Sequence, residues 1–496
     1  MRLLLKIKDN SIVWNMEKKS IKLNAILNSI KTLMNILFPL ITTSYLSRVL
    51  GKGGFGKFNY SVSIVSYFLL IAGLGISTYG IREGAKVRDD SAKENKFASE
   101  VFTLNVLSTV IAYLCLFVLL ACSKGLVSYS TYILVISMTI VFTTLGADWI
   151  NSIYEDFWYL TLRYIVVQLI SIVLMLIFVR SKEDLLKYVL VYLFSQIGAN
   201  VANIFYIRRY VTLKLVFNKS IFVHLVPILI LFASNVAVTI YVNSDITVLG
   251  IIKGDAAVGV YSVASKIYTG AKQIAIAGTV VTIPRLASYI GQRSKEEYNR
   301  LLDNILNLLF SMTIPLFTGL FMISRQVMLI IGGGGYEEGA VTLQILSLAS
   351  IFSILAYYYA QCILIPNSRE KYFLIATVIA SVVNIVGNFI VIPFWSHAGA
   401  AITTLISEFL TMMFCMYYSR GFHSSRLDKK AVFSTIASSI AVIVICGVLD
   451  AVISNYFVSA IAAIIGSGIA YIAIMIVMKN EYVIGIAGSV LKKIKR

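Results

Sequence analysis

Residues 101–121 read VFTLNVLSTVIAYLCLFVLLA, an apolar run without a single charged side chain. The hydrocarbon core of a bilayer is about 30 Å thick, so a helix that rises about 1.5 Å per residue needs about 20 apolar residues to cross it. This run is therefore long enough to span a membrane. Runs of the same kind follow one another along almost the whole chain, separated by short polar connectors.

Fourteen such runs are predicted in the 496 residues. They cover residues 25–46, 58–80, 101–121, 128–146, 158–180, 185–206, 222–242, 256–281, 305–324, 341–363, 372–394, 398–418, 431–451 and 457–478. A long helix could also continue through the gap at 243–255. The pattern predicts an all-α polytopic membrane protein with about 14 transmembrane helices.

Composition places the function inside that helix bundle. Hydrophobic residues make up 58% of the chain and charged residues 14%, which is far from the composition of a soluble globular domain. Because the connectors are short, no extramembrane domain is predicted. Residues 1–24 alternate Lys with apolar residues and lack a signal-peptide cleavage site, which leaves either an amphipathic segment on the membrane surface or a solvated tail.

The net charge is +19, and the distribution of the basic residues along the chain indicates the orientation in the membrane. With the N-terminus in the cytoplasm and alternating spans, most of the 43 Lys and Arg residues fall on the cytoplasmic side, including Arg208, Arg209, Lys429 and Lys430. This is the positive-inside pattern. It predicts that both termini are cytoplasmic and that the number of spans is even. It also explains the basic composition without a nucleic-acid partner.

The sequence offers no catalytic or metal site. The five cysteines lie in or beside predicted spans without CxxC spacing, and the three histidines are far apart. No Lys-Ser or Lys-Thr follows the glycine run at 332–335, so this run is not a nucleotide-binding loop. We predict a protein that is not an enzyme and that uses no cofactor.

A weak internal repeat divides the chain. RVLG at residues 48–51 is followed by a glycine and YSV at 60–62, and TVLG at 247–250 by a glycine and YSV at 261–263. The copies lie six spans apart, as in parallel repeats related by an axis along the membrane normal. The predicted domains are a cytoplasmic segment at 1–24, two six-helix lobes around a central cavity at 25–210 and 211–420, and two additional helices with a basic cytoplasmic tail at 421–496.

Charged side chains inside a span cost a few kcal/mol on insertion scales, so each points to a function or a partner. Asn28 and Lys31 share one face of the first span with two further asparagines, and such a stripe is expected to line water. Arg48 follows the first span, and Lys266 and Lys272 lie within the eighth. These five residues form the candidate substrate-binding set, because Lys and Arg offer a phosphate permanent charge and several donors.

Two carboxylates are the candidate sites of ion coupling. Asp245 and Glu408 lie at spans 7 and 12, and nothing in the chain resembles an ATPase domain, so a proton or another cation would have to drive uphill movement. Either carboxylate could instead pair with a lysine for structural reasons. Arg163 in span 5 is explained equally well by snorkelling to the interface and by a cavity.

Four stretches carry a resemblance to a known family. They are SRVLG at 47–51 through Tyr60-Ser61, Asp148-Trp149 with EDF at 155–157, SDITVLG at 244–250 running to GVY at 259–261, and PNSREK at 366–371 followed by Asn384, Asn388, Ile392-Pro393, GAA at 399–401 and Glu408. In their order and spacing, the chain resembles bacterial oligosaccharide flippases of the Wzx type, within the multidrug/oligosaccharidyl-lipid/polysaccharide exporter superfamily. The match covers most of the first 420 residues.

The resemblance implies a V-shaped bundle of two six-helix lobes with an alternately exposed central cavity. It implies movement of undecaprenyl-diphosphate-linked oligosaccharide repeat units across the bacterial cytoplasmic membrane, for cell-surface polysaccharide synthesis. The implied partners are the lipid-linked oligosaccharide, the bilayer, and a polysaccharide polymerase with other assembly proteins. Arg48 lies inside a matching motif, whereas Lys31, Lys266 and Lys272 rest on the argument from the cavity.

Three alternatives stay open. A multidrug or cation antiporter of the same superfamily would favour acidic residues in its cavity, against the lysines found here. A flippase of lipid-linked peptidoglycan precursors would also have to bind a diphosphate. A membrane polymerase or ligase of sugar repeats would need catalytic groups and a sizeable external loop, which the short connectors do not provide.

Overall fold

The computed structural model describes residues 21–280, 282–422 and 426–484, with side chains from Leu33 onward except those of Ser234, Val280 and Pro284. Most of these residues are helical and none lies in a β-strand, which confirms the predicted all-α class. The helices are α1 (Ile21–Gly73), α2 (Ile76–Gly84), α3 (Ser91–Cys122), α4 (Ser130–Gly146), α5 (Asp148–Ile153), α6 (Phe157–Phe178), α7 (Leu185–Tyr206), α8 (Phe222–Lys253), α9 (Asp255–Val280), α10 (Ile283–Gly291), α11 (Lys295–Met322), α12 (Ser324–Gly332), α13 (Ala340–Tyr357), α14 (Glu370–Ser419), α15 (Lys429–Val452) and α16 (Tyr456–Val477).

Eleven of the described helical segments are long and apolar enough to cross a membrane. α1 and α14 have 53 and 50 residues, and at about 1.5 Å per residue each is more than twice as long as a hydrocarbon core of roughly 30 Å is thick. Each has one sharp break, at Gly51 and at Ser396. The first two predicted spans thus merge into α1, and the eleventh and twelfth into α14. α9 coincides with the eighth predicted span but is not among the eleven, so the helices alone leave the predicted number of 14 unconfirmed.

The outer faces of the long helices are apolar. On α16, the side chains of Ile464, Ile465, Ile469 and Ile472 are each more than half exposed. A soluble protein rarely exposes contiguous apolar faces of this kind. In a multi-pass membrane protein such faces contact lipid, while the polar backbone groups are satisfied within each helix.

Two glycine corners occur at corresponding places in the two halves of the chain. Gly51 (φ 67°, ψ −179°) divides α1, and Gly254 (φ 77°, ψ −173°) separates α8 from α9. Glycine adopts this conformation without steric cost, whereas a residue with a β-carbon would be strained there. The backbone therefore turns from one long helix into the next in the same way at both positions.

The two corners pack against each other through a reciprocal pair of glycines. A β-carbon added to Gly56 would lie 1.7 Å from the carbonyl oxygen of Asp255. One added to Gly259 would lie 2.2 Å from the carbonyl oxygen of Lys52. Each glycine thus lets the main chain of the other half approach to contact distance, and no side chain fits between them.

These glycines also set the register of the internal repeat. Gly51 precedes Gly56 by the same spacing as Gly254 precedes Gly259. The sequence pattern instead aligned Gly51 with Gly250. That alignment is wrong, because Gly250 lies inside α8, and one further helical turn separates it from the corner at Gly254.

Polar contacts join the two halves at this end of the bundle, which we call the corner end (residues 47–57, 124–132, 251–259 and 330–342). Lys52 Nζ lies 2.8 Å from Glu338 Oε1. The hydroxyl group of Tyr129 donates to Asp255 Oδ1 over 2.6 Å. The Lys52 and Glu338 side chains are 34% and 53% exposed, and an exposed ion pair of this kind contributes roughly 0–1 kcal/mol.

At the opposite end, the linker end, an extended segment after α7 lies along α3. Three polar side chains of α3 accept hydrogen bonds from alternate main-chain N–H groups of this segment. The pairs are Asn95 with Thr212 (2.6 Å), Ser99 with Lys214 (3.2 Å) and Thr103 with Val216 (3.0 Å). Four helical residues advance about 6 Å and two extended residues about 6.6 Å, so the ladder stays in register.

α11 holds the segment after α14 in a similar way. Asp303 Oδ1 accepts from the N–H group of Arg426 over 3.0 Å, and Asn307 Oδ1 accepts from that of Asp428 over 2.8 Å. Asn307 Nδ2 also donates to the carbonyl oxygen of Arg426 over 3.0 Å. The four-residue spacing continues to Ser311, whose hydroxyl oxygen accepts from Asn480 Nδ2 over 3.2 Å. The second ladder ties α15 and α16 to the C-terminal half.

We expect Gly56→Ala to lower the free energy of unfolding by about 3 kcal/mol or more, because the added methyl group meets main chain instead of a flexible side chain. Gly53→Ala is the matched control, since nothing lies within 4 Å of its added β-carbon. Thermal unfolding of both variants in one detergent measures the difference. Equal melting temperatures for the two variants would contradict the close packing of the corners.

We expect the combined variant Asn95→Ala, Ser99→Ala, Thr103→Val to release the segment after α7. Each lost hydrogen bond contributes about 0.5–1.5 kcal/mol, so trypsin should cleave after Lys214 faster than in the wild type. Mass spectrometry of timed digests measures the rate at each site.

The second ladder supplies the matched control. Asn307→Ala should accelerate cleavage after Arg426 and leave cleavage after Lys214 unchanged, because the two ladders lie on different helices. Acceleration at both sites in either variant would indicate general unfolding and would contradict two separate ladders.

Candidate functional site

A buried carboxylate lies among three helices of the C-terminal half. Asp245 of α8 is 5% exposed, and its oxygens accept hydrogen bonds from Asn388 Nδ2 (2.7 Å), Thr404 Oγ1 (2.7 Å) and the hydroxyl group of Tyr261. α14 supplies both Asn388 and Thr404 because it folds back at Ser396. These three donors solvate the carboxylate in place of water, so that its burial is tolerated.

Further oxygen atoms surround Asp245. Asn384 Oδ1 accepts from Ser244 Oγ over 2.6 Å and from Asn388 Nδ2 over 3.2 Å. Asn384 Nδ2 and the hydroxyl group of Tyr241 are buried without a hydrogen-bond partner. Carboxylate, amide and hydroxyl oxygens are the ligands of hard cations. In the described part of the chain, no group of three His, Cys, Asp or Glu side chains comes together.

Glu408 lies in a second buried cluster, together with Lys272. Its Oε1 accepts from the hydroxyl group of Tyr268 over 2.8 Å and lies 3.4 Å from Lys272 Nζ. Lys272 Nζ also donates to Ser353 Oγ over 3.0 Å. The carboxylate therefore balances the charge of Lys272, which is the structural pairing that the sequence left open.

Lys266 has a different environment. Its Nζ lies 4.8 Å from the centroid of the Phe55 ring, so the side chain reaches from α9 in the C-terminal half to α1 in the N-terminal half. Within the described residues, Lys266 makes no ion pair with a carboxylate. A cation over an aromatic face gains only about 0.5–2 kcal/mol. The ring does not neutralise the positive charge of Lys266, which therefore stays without a counter-charge at the boundary between the halves.

Arg48 lies at the corner end. It is exposed, and its Nη2 donates to the carbonyl oxygen of Ile330 in the last turn of α12. Ser47 Oγ donates to the next carbonyl oxygen, that of Ile331, over 2.9 Å. A cation at the carboxyl end of a helix interacts favourably with its dipole. The side chains of Asn28 and Lys31 lie outside the described residues.

The hydroxyl groups that complete these clusters were missed by the sequence analysis. Tyr261, Tyr268 and Lys272 are spaced by seven and four residues on α9, and Thr404 and Glu408 by four on α14. Such spacings place residues on one helical face. The spacing could have indicated these hydroxyl groups. However, tyrosines and threonines are common in membrane helices, so the spacing alone does not identify the ones that contact Asp245, Lys272 and Glu408.

Comparison with known proteins identifies the family. Residues 21–290 match the family described as "Polysaccharide biosynthesis protein", which is more than half of the chain. The chain belongs to this family. The chain is also similar to the "Putative O-antigen transporter" of Escherichia coli (strain K12), with 24% identity over 82% of this chain and 98% of that protein.

Two solved structures share the fold of this chain. The inward closed conformation of the lipid II flippase MurJ has a TM-score of 0.76 and 17% identity, and the match covers 92% of this chain and 100% of that one. An inward-facing multidrug resistance MATE family transporter of the MOP superfamily has a TM-score of 0.63 and 14% identity over 80% of this chain and 97% of that one. The fold is therefore that of MurJ and MATE transporters.

We expect Lys272→Met to lower the free energy of unfolding by about 3–5 kcal/mol, because it leaves the Glu408 carboxylate buried without its cation. The double variant Lys272→Met, Glu408→Gln removes both charges and should recover most of that loss. Thermal unfolding of both single variants and the double variant measures their coupling. A double variant as unstable as the sum of its single variants would show that the two side chains do not interact.

Proposed function

We propose that this protein is a flippase, which moves undecaprenyl-diphosphate-linked oligosaccharide repeat units across the bacterial cytoplasmic membrane for the synthesis of a cell-surface polysaccharide. The observation that carries the proposal is Lys266, whose charge lies between the two halves with no carboxylate partner among the described residues. A diphosphate needs permanent positive charge and several donors. The family and the similarity to an O-antigen transporter support the same reading.

We infer fourteen crossings in two six-helix lobes, residues 25–210 and 211–420, with two further helices in 421–496. In this arrangement α1 and α14 each cross twice, turning at Gly51 and Ser396, and α9 also crosses. The distribution of Lys and Arg then puts both termini and the linker end in the cytoplasm, and the corner end outside.

The proposed mechanism is alternating access. The diphosphate headgroup enters between the lobes from the cytoplasm and binds Lys266, while the lipid tail stays in the bilayer. Asn28 and Lys31 line the path on the first span. Opening of the corner end then releases the headgroup outside, and this requires Arg48 to leave the carbonyl oxygen of Ile330. The remaining steps of polymer assembly fall to a polymerase and other partner proteins.

Asp245 and Glu408 are the proposed sites of ion coupling. The oxygen shell of Asp245 suits a small hard cation, because its carboxylate has no basic partner and its neighbours are amides and hydroxyl groups. Glu408 suits a proton. Protonation of Glu408 removes the counter-charge of Lys272, 3.4 Å away, and frees that lysine for the diphosphate.

The test follows lipid-linked repeat units in sealed proteoliposomes that contain the purified protein. We expect Lys266→Gln to slow movement to the opposite leaflet about tenfold or more, as for the loss of a charge-assisted contact, with an unchanged melting temperature. Lys253→Gln is the matched control, because it removes the same charge from an exposed position at the end of α8. Arg48→Ala should slow movement and also lower the melting temperature, since it opens the corner end.

Three results would change the proposal. Equal rates for Lys266→Gln and the wild type would remove Lys266 from the substrate path. Movement of lipid-linked peptidoglycan precursors, with none of any repeat unit, would assign the protein to that alternative. No lipid movement at all with ion gradients imposed, together with export of cationic drugs, would favour the antiporter.

A further inference from the structure

A further buried polar cluster lies in the N-terminal half, near the linker end. It consists of Asp148 and Asn151 on α5, Arg163 on α6 and Asn203 on α7, and we call it the Arg163 cluster. Arg163 Nη2 donates to Asp148 Oδ2 over 2.7 Å. The Arg163 side chain is only 6% exposed, whereas that of Asp148 is 47% exposed. The carboxylate thus stands between the buried guanidinium group and the solvent side.

Asn203 fixes the geometry of this cluster. Its Nδ2 lies within hydrogen-bond distance of the Gly146 carbonyl oxygen (2.6 Å), Asn151 Oδ1 (2.8 Å) and Asp148 Oδ1 (3.0 Å). Because all three neighbours are acceptors, the amide nitrogen must face them. The same contact sets the orientation of the Asn151 amide, whose oxygen faces Asn203.

The cluster has more donors than acceptors. Arg163 Nε, Arg163 Nη1 and Asn151 Nδ2 are buried donors without a hydrogen-bond partner, and Asn203 Oδ1 is the corresponding acceptor. The Tyr159 ring lies 5.2 Å from the guanidinium carbon, and the Tyr159 hydroxyl group also interacts with Arg163, but Nε and Nη1 stay without a hydrogen-bond partner. Leaving a buried donor unsatisfied is costly, so this arrangement favours a ligand that brings acceptor oxygens.

We propose that the Arg163 cluster is a binding site for a phosphate oxyanion, which Arg163 holds once Asp148 has turned towards solvent. A phosphate supplies several acceptor oxygens, and guanidinium groups bind them in fixed, paired geometry. The oxyanion comes either from a lipid diphosphate headgroup or from free phosphate. Binding of the lipid headgroup rests on the proposed function, since Arg163 would be the first contact of that headgroup on the cytoplasmic side. Binding of free phosphate does not rest on it.

Asp148 acts as the competing ligand in this site. It occupies Arg163 Nη2 when no phosphate is bound, which keeps the pair electrically neutral. The phosphate must displace that carboxylate, and this lowers its affinity. Removing the carboxylate charge should therefore strengthen phosphate binding, whereas a purely structural ion pair would give no such gain.

Trp149 provides the signal for the test, because it follows Asp148 directly in α5 and its indole ring is buried. A variant with Trp14→Phe, Trp158→Phe and Trp395→Phe leaves it as the single tryptophan. Its fluorescence is titrated with inorganic pyrophosphate in detergent, and with undecaprenyl diphosphate in nanodiscs. We expect a saturable change with at least one probe. A change with pyrophosphate alone assigns free phosphate as the source, and a change with the lipid assigns the headgroup.

Three substitutions in this background test the site. Arg163→Lys keeps the charge and loses the unsatisfied donors, so the dissociation constant should rise about tenfold or more. Asp148→Asn should lower it by a similar factor. Arg325→Lys, at an exposed ion pair of the corner end, should leave it unchanged.

The proposal is overturned if wild-type Trp149 shows no saturable change with either probe, or if Arg163→Lys binds as well as the parent. Either result would mean that ordered water alone fills the cluster. If Arg163→Lys fails to fold, the Asp148→Asn variant provides the test. Phosphate binding by Asp148→Asn that is unchanged or weaker than in the parent would overturn the proposed site. The titration involves no transport step, so a protein that binds pyrophosphate here but moves no lipid retains the site and loses only the proposed function.

Discussion

The close approach of Gly56 and Gly259 is the constraint on which the arrangement of the two halves depends. Each glycine admits the main chain of the other half, because a β-carbon would collide with a carbonyl oxygen. This approach brings α1 and α9 together along their lengths. Lys266 can therefore reach the Phe55 ring, and Tyr129 can reach Asp255. A residue with a β-carbon at Gly56 or Gly259 would separate the two halves and move these pairs apart. The position of Lys266 between the halves therefore depends on these two glycines.

Polar contacts between the two halves occur at both ends of the bundle. At the corner end, the hydrogen bonds and the Lys52–Glu338 ion pair cross from one half to the other. At the linker end, the ladders on α3 and α11 hold the connecting segments, and His224 of α8 also lies 3.0 Å from Glu100 Oε2 on α3. Opening the corner end thus breaks a few partly exposed contacts, each of modest free energy, and leaves both ladders intact.

The sequence predicted the helices well and their partners poorly. Hydropathy gave the positions of the long helices, because burial in lipid imposes an apolar run on each. It did not show that the first two spans form one kinked helix, since a glycine corner such as Gly51 keeps its flanking turns helical. The pairing of Lys272 with Glu408 joins residues far apart in the chain, which no local pattern reports. The sequence did not predict the two ladders, because they use different residue types at the same four-residue spacing. Asn, Ser and Thr form the ladder on α3, and Asp, Asn and Ser form the ladder on α11.

The charged side chains within the bundle divide into ion pairs and charges without an ionic partner. Arg163 with Asp148, and Lys272 with Glu408, are neutral pairs. Among the described residues, Asp245 has donors but no cation, and Lys266 has a ring but no anion. A buried charge without a partner is costly, so it is retained where a partner arrives from outside. In the proposed function, Asp245 is the site for a cation and Lys266 the site for a phosphate-bearing anion.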